Sequence, residues 1–322
     1  MSEVLKLNIG LDKSGRKYNC PQCGQKRFVK MFDFETKEYL PDEVGRCDRE
    51  SSCGYHKTVK QYYSEKDSCY VPKIKIIEVK EEKVDFMPME YILRSQNNYD
   101  SIDFGKYIIS LFGKEICGKV FKKYNVGRSK FDVGKAIIFW QVDYLKRVRT
   151  GKIMKYNPNN GKRIQDEGTW KVLWVHSNIK DFNFKQCFFG EHLLNVYPTK
   201  TVGIVESEKT AILASIFIPD IVWLATGGKR GCKWREWSVF NVLENRDVIL
   251  FPDRGCYIDW NKIAMETSNR MTCRITVSKV LEEIESTENI DGLDLADFLV
   301  IRKENKSWAL NEIDGYPIMW DL

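Results

Sequence analysis

Two sets of residues in this 322-residue chain have the types and spacing to do chemistry. The first is a group of four cysteines: Cys20 and Cys23 in CPQCG, Cys47 in GRC, and Cys53 ahead of Gly54. Four thiolates with a C-x₂-C start and a later pair are the ligand set that tetrahedral Zn²⁺ takes in a structural ribbon. Unrelated cysteines or disulfides are the alternative. They suit this chain poorly, because its other six cysteines stand singly, as in a reducing compartment. Five residues separate Cys47 from Cys53, which leaves His56 as a substitute ligand and Cys53 as the preferred one. Such a site is closed, with no position left for water.

The second set is acidic. Glu206 directly follows the apolar run VGIV at 202–205, and Asp253 follows DVILF at 247–251. Asp294 and Asp297 precede an apolar helical pattern. Carboxylates delivered to strand ends can hold Mg²⁺ or Mn²⁺, whose shell is completed by water and phosphate. A solvated loop carboxylate is the bland alternative for each. Lys209, one turn into the helix after Glu206, faces either a triphosphate or solvent. Gly227 and Gly228 permit close backbone approach, and Lys229 and Arg230 extend a phosphate-contact pattern.

The elements that position these residues follow from the hydrophobic pattern. Apolar runs at 202–205, 220–225, 247–251 and 273–277 alternate with helical periods at 234–243 and 257–266, which predicts βαβ units around a parallel sheet. Upstream, 136–141, 145–149, 153–156 and 172–175 read as antiparallel strands, with a turn at 157–161. This sheet carries Arg147, Arg149, Lys152 and Lys155, a track for a phosphate backbone or a solvated face. Residues 88–95, 103–112 and 114–124 form amphipathic helical patterns without evident chemistry, and His192 is given no catalytic role. Near the cysteines, Arg46 and Arg49 join aromatics (Phe28, Phe32, Tyr39, Tyr55) that either stack on single-stranded nucleic acid or fill the ribbon's own small core.

Composition sets outer limits. The formal net charge of +6, with both signs mixed, permits a nucleic acid partner without requiring one. No apolar run reaches the length of a membrane span, and the first residues lack the layout of a secretion signal, so a cytoplasmic location is expected. No GxxxxGK[ST] pattern is present, so a helicase motor would be a separate chain. The expected fold class is α+β multidomain: a zinc β-ribbon at 1–63, a linker at 64–84 with a strand at 73–79, a basic mixed α/β subdomain at 85–200, and a Rossmann-type α/β sheet at 201–322.

Several of these motifs resemble a known family. ESEKTA is similar to the EGEKTA-type first motif of the Toprim domain of phage and plasmid primases. LFPDRG resembles its second motif and DLADFL its last acidic one, so the likeness covers roughly the last third of the chain. CPQCG…GRCDRESSCGYH looks like the zinc ribbon that precedes the primase core. Two departures stand out: Ser207 where Gly is usual, and Gly255 where the second motif has its second Asp. The resemblance implies a Toprim-like sheet with Glu206, Asp253 and Lys209 catalytic and Mg²⁺ held by Glu206, Asp253, Asp294 and Asp297. It also implies structural zinc, a single-stranded DNA partner, nucleoside triphosphate substrates, and a separate helicase or mobilisation and recombination proteins. The implied function is primer synthesis. A Toprim nuclease or nickase, or a non-catalytic DNA-binding accessory protein of a mobile element, are the alternatives.

Overall fold

The computed structural model describes residues 6–7, 9–49, 53–65, 74–75, 83–164, 172–228, 231–268, 272–283, 292–305 and 310–320. The chain divides into two units, Met1–Glu82 and Lys83–Leu322. Among the described residues, no helix is long and apolar enough to cross a membrane.

In the first unit, the long strand Lys26–Asp33 is the organiser. Ile9–Leu11, Tyr18–Asn19, Glu38–Tyr39 and Gly45–Cys47 all pair with it antiparallel, and His56–Lys57 extends the sheet beyond Gly45–Cys47. Its apolar content is small: Phe28 is fully buried between Cys20 and Cys47, and Leu40, Val44 and Tyr62 form a second cluster. The strand expected at 73–79 is seen at Ile74–Lys75, which pairs with Lys6–Leu7; the rest of that stretch lies outside the described residues.

The second unit combines two four-stranded sheets on a shared core. The antiparallel sheet runs Leu173–Trp174, Val148–Met154, Ile137–Val142, Val126–Arg128. The sequence pattern gives separate strands at 145–149 and 153–156, yet Val148–Met154 is one strand that passes through Gly151. The reason is close packing. A Cβ at position 151 would lie 2.6 Å from Ile138 Cγ2 and 2.9 Å from Val175 Cγ2. The helical patterns at 103–112 and 114–124 join as Asp103–Lys123, interrupted at Gly113, whose φ of 84° breaks the helical path. The helix expected at 234–243 is instead two short turns, Trp237–Phe240 and Asn241–Leu243, in a stretch of aromatic and β-branched residues with weak helix propensity.

The second sheet is wholly parallel, in the order Val222–Ala225, Val202–Val205, Asp247–Leu250, Arg274–Val277. Its first three strands are buried on both faces, which is why they read as continuous apolar runs rather than alternating ones. The chain runs outward from Val202–Val205 to one edge, then returns to its other side. Right-handed crossovers place the helices Glu208–Phe217 and Tyr257–Ser268 on opposite faces. The point where the order reverses lies between Val202–Val205 and Asp247–Leu250.

One core, from Ile102 to Ile318, joins residues of both sheets. Phe139 packs edge-on to Phe189, Tyr124 stacks on Phe189, and the Tyr124 hydroxyl donates to the Trp223 carbonyl at 3.1 Å. Phe189 also pairs with Ala225. Beside this junction Glu191 is buried, its two carboxylate oxygens accepting from the Tyr144 and Phe188 amides at 2.9 and 3.1 Å. Burial, more than those two bonds offset, pushes its pKa up to about 7.

The folded chain holds the Glu191 proton more tightly than the unfolded chain. The associated stability is therefore complete below the ordinary glutamate pKa and is lost as pH rises through about 7. Urea melts of wild type and Glu191→Gln between pH 5 and 8 should show their stability difference moving by on the order of 2 kcal/mol in that sense. A difference flat with pH contradicts this assignment.

Candidate functional site

The cysteine cluster is built by two knuckles. Gly24 and Gly54 adopt positive φ, 68° and 67°, so the chain turns back after Cys23 and Cys53. Gly24 N–H donates to the Cys20 carbonyl and Gly54 N–H to the Arg49 carbonyl, while Gln22 Nε2 reaches the Cys53 carbonyl and ties the knuckles together. The four Sγ atoms lie within 4.8 Å of one another, with Cys20–Cys53 at 3.7 Å and Cys23–Cys47 at 4.0 Å. Bonds of about 2.3 Å around a tetrahedral Zn²⁺ require sulfurs roughly 3.8 Å apart, so the cluster fits structural zinc. Burial raises the Cys20 thiol, but amides of Cys23 and Gln22 aimed at its sulfur bring it down to about 7, toward the thiolate a metal needs. His56 is exposed and outside the cluster. Of the nearby aromatics, Phe28 is core and Tyr55 packs on it while donating to the Glu43 carbonyl. Arg46 is half-buried on the central strands and Arg49 is exposed at the second knuckle.

The second site lies at the carboxyl ends of the parallel strands, where ligands of open α/β sheets collect at the order reversal. Glu206 follows one flanking strand and Asp253 the other. The Glu206 backbone is fixed by its neighbours: Gly227 and Gly228 amides both donate to its carbonyl at 2.9 Å. Ser207 caps the following helix, its Oγ accepting from the Thr210 amide at 3.1 Å. Asp253 is bracketed by the bond from Phe251 N–H to the Ile204 carbonyl and that from Arg254 N–H to the Leu293 carbonyl. The latter brings up the helix Leu295–Asn305, whose start is capped by Asp294 accepting from the Asp297 amide at 2.8 Å.

Glu206, Asp294 and Asp297 thus come within electrostatic reach of Asp253, although among the described residues only the four cysteines lie close enough together as a group to share one ion. Burial first, then the charges of Glu206 and Asp294, push the Asp253 pKa up to about 8. Asp297 is raised by burial and by Asp294. Lys209 answers part of this charge. Its ammonium lies 3.0 Å from Asp294 Oδ2 and 2.7 Å from Asp297 Oδ1, and it is largely buried. Burial alone would lower its pKa; the two aspartates outweigh that and hold it above the ordinary lysine value. Lys209 therefore faces neither open solvent nor an empty cradle.

One buried pair was not singled out from sequence. Lys152 Nζ lies 2.9 and 3.1 Å from the two Glu208 carboxylate oxygens and donates to the Gly227 carbonyl at 2.9 Å. Both side chains are nearly inaccessible, at 7% and 2%. Glu208 stands two residues after Glu206, in the first helical turn, and that second acid in ESEK was the available signal. Among the other cations of the predicted track, Arg147 and Arg149 both bind Asp143 and Lys155 is half-buried; Lys162 and Arg163, after the turn, are exposed. Gly227 and Gly228 spend their amides on Glu206, and Lys229 and Arg230 lie outside the described residues.

Comparison with known proteins adds the following. A zinc β-ribbon finger family matches residues 7–68, and a domain family of unknown function, DUF6371, matches 103–254. No curated protein sequence matches the chain. Among solved structures, the chain is similar to the E. coli primase catalytic core, at 13% identity over 66% of this chain and 74% of that one, with a TM-score of 0.42. It is similar to the RNA polymerase domain of Mycobacterium tuberculosis primase DnaG, at 9% identity over 66% and 79%, TM-score 0.39. The primase fragment of the bacteriophage T7 primase-helicase protein matches at 15% identity over 82% and 90%, TM-score 0.33.

Two outcomes follow from this geometry. The purified chain should carry one zinc, and Cys47→Ser should abolish its retention in metal analysis and unfold the first unit, since such sites contribute on the order of 10 kcal/mol. In denaturant melts, Lys152→Met should cost about 3 kcal/mol by stranding Glu208 in a dry site, while the double change with Glu208→Leu recovers most of that loss.

Proposed function

We propose that the chain is a primase-like nucleotidyltransferase of Toprim type. It would bind single-stranded DNA and join nucleotides from nucleoside triphosphates at a divalent-metal site on Glu206 and Asp253. The observation that carries this reading is that Glu206 and Asp253 follow the two strands flanking the order reversal of the parallel sheet, within electrostatic reach of Asp294 and Asp297, which hold the buried Lys209. Buried carboxylates near one another are stabilised by a shared divalent cation, and Asp253 is raised by burial first and then by the charges of Glu206 and Asp294.

Lys209 occupies Asp294 and Asp297, so Glu206 and Asp253 are the pair that would hold the metal, with Asp294 and Asp297 behind them. Gly255 at the position of the second motif acid fits a single metal rather than two. Mg²⁺ or Mn²⁺, when bound, neutralises charge on phosphate oxygens during phosphoryl transfer. The chain's own contribution is placement. The Gly227–Gly228 turn fixes Glu206, and Lys209 keeps positive charge beside the acids. Exposed Lys162 acts electrostatically on Asp297. The zinc-bearing unit, with Arg46 and Arg49, would add template contacts, and unwinding would come from a separate helicase.

A second reading, a non-catalytic DNA-binding accessory protein, has one observation behind it: Lys209 already sits where the last two acids would greet a cation. Primer synthesis on single-stranded template with Mn²⁺ separates the readings. Glu206→Gln and Asp253→Asn should each reduce product by about 100-fold or more. Product that survives both substitutions removes the site. Cleavage of labelled DNA without triphosphates moves the same acids to a nuclease, and absence of Mg²⁺ binding with DNA and nucleotide present favours the accessory role.

A further inference from the structure

The turn that joins Ile137–Val142 to Val148–Met154 lies at the far end of the second strand from Lys152. Arg147 is five residues back from it, roughly 16 Å at about 3.3 Å per residue. Here the second unit has a pocket of 370 Å³, between this turn, residues 185–191 and residues 238–242. That volume falls within the range of small-ligand sites, about 300–1,000 Å³.

Its cations are built in rather than merely nearby. Asp143, with a side chain 3% exposed, takes Nε of both Arg147 and Arg149 on one oxygen at 2.9 Å. Both guanidiniums lie over the Phe86 ring, at 4.5 and 4.8 Å from its centre. The two planes are thereby fixed before any ligand arrives, and the terminal nitrogens of Arg147 donate to nothing among the described residues. Lys185 lines the same pocket and has no carboxylate partner among the described residues. Three cations face two carboxyls, Asp143 and Glu191, and the Glu191 oxygens are committed to backbone amides. The opposite wall is apolar at Val239 and Val242, with the Ser238 and Asn241 side chains between them.

We infer that this pocket binds a phosphate monoester of nucleotide size, with Arg147, Arg149 and Lys185 on the phosphate and the 238–242 wall against the rest. Forked, pre-positioned guanidiniums suit a terminal phosphate with several free oxygens better than the diester of a passing backbone. The ester is either a free mononucleotide or the 5′-phosphate end of a nucleic acid strand. This site needs no divalent metal and does not depend on the activity proposed for the acidic site.

Calorimetric titration of the full chain in Mg²⁺-free buffer tests it, with AMP as the probe. AMP should bind, and adenosine at least about tenfold more weakly. Arg149→Gln and Lys185→Gln should each weaken AMP by about tenfold, as expected for a charge-assisted bond. Lys185→Gln guards against misfolding, because among the described residues Lys185 makes no side-chain hydrogen bond or ion pair. Glu206→Gln should leave AMP binding unchanged. Oligonucleotides with and without a 5′-phosphate distinguish the source: an Arg149-dependent preference for the phosphorylated end identifies a strand terminus, and its absence identifies a free nucleotide. The inference is overturned if AMP fails to bind, if adenosine binds as well as AMP, if Lys185→Gln and Arg149→Gln change nothing, or if Glu206→Gln abolishes the binding.

Discussion

The second unit depends on a buried charge pair. Lys152 rises from the middle of an antiparallel strand, and its ammonium is neutralised by Glu208 at the first turn of the helix that follows the first parallel strand. In so dry a place neither charge is tolerable alone. The pair therefore fixes how the antiparallel sheet meets the parallel one. It also sets a chain of consequences: Lys152 holds the Gly227 carbonyl, and the Gly227 and Gly228 amides hold the Glu206 carbonyl, which fixes the Glu206 backbone. Substituents at Gly227 are constrained from the same side, since a Cβ there would come 3.2 Å from Glu208 Oε1.

This explains what the sequence could and could not reveal. The parallel strands were legible because burial on both faces leaves unbroken apolar runs, and acids at their ends stand out against them. The cysteine cluster was legible because coordination geometry dictates its spacing. Lys152 was not. A lysine in a strand rich in Arg147, Arg149 and Lys155 reads as one of a set, and only a partner 56 residues away decides that it turns inward. Likewise Lys209 reads as a surface helix residue until Asp294 and Asp297 are brought to it from 85 and 88 positions on. The two strands read at 145–149 and 153–156 are one for the same reason: packing across the sheet by Ile138, Trp140 and Val175 on Gly151 overrides local propensity.

The first unit obeys a different constraint. Its buried apolar set, Phe28, Leu40, Val44 and Tyr62 among few others, is too small to repay the ordering of its strands by itself. Cross-linking by metal substitutes for core. Phe28 stands between Cys20 and Cys47, so the same residue that anchors the central strand also screens the thiolates from water. Its aromatic neighbours serve that packing before they serve any ligand.

Polarity within the second unit is arranged by the direction of its strands. Near the carboxyl ends of the parallel sheet, two aspartates gather around one lysine; at the start of strand Val148–Met154, two arginines gather around one aspartate. In each cluster the minority charge is the more deeply engaged, and it fixes the geometry of the others while leaving a surplus of opposite sign. Lys209 is held by Asp294 and Asp297, and Asp143 is held by Arg147 and Arg149. A buried counter-charge of this sort orients its neighbours without cancelling them. That is how a fold of modest net charge can present two oppositely charged sites on one rigid unit.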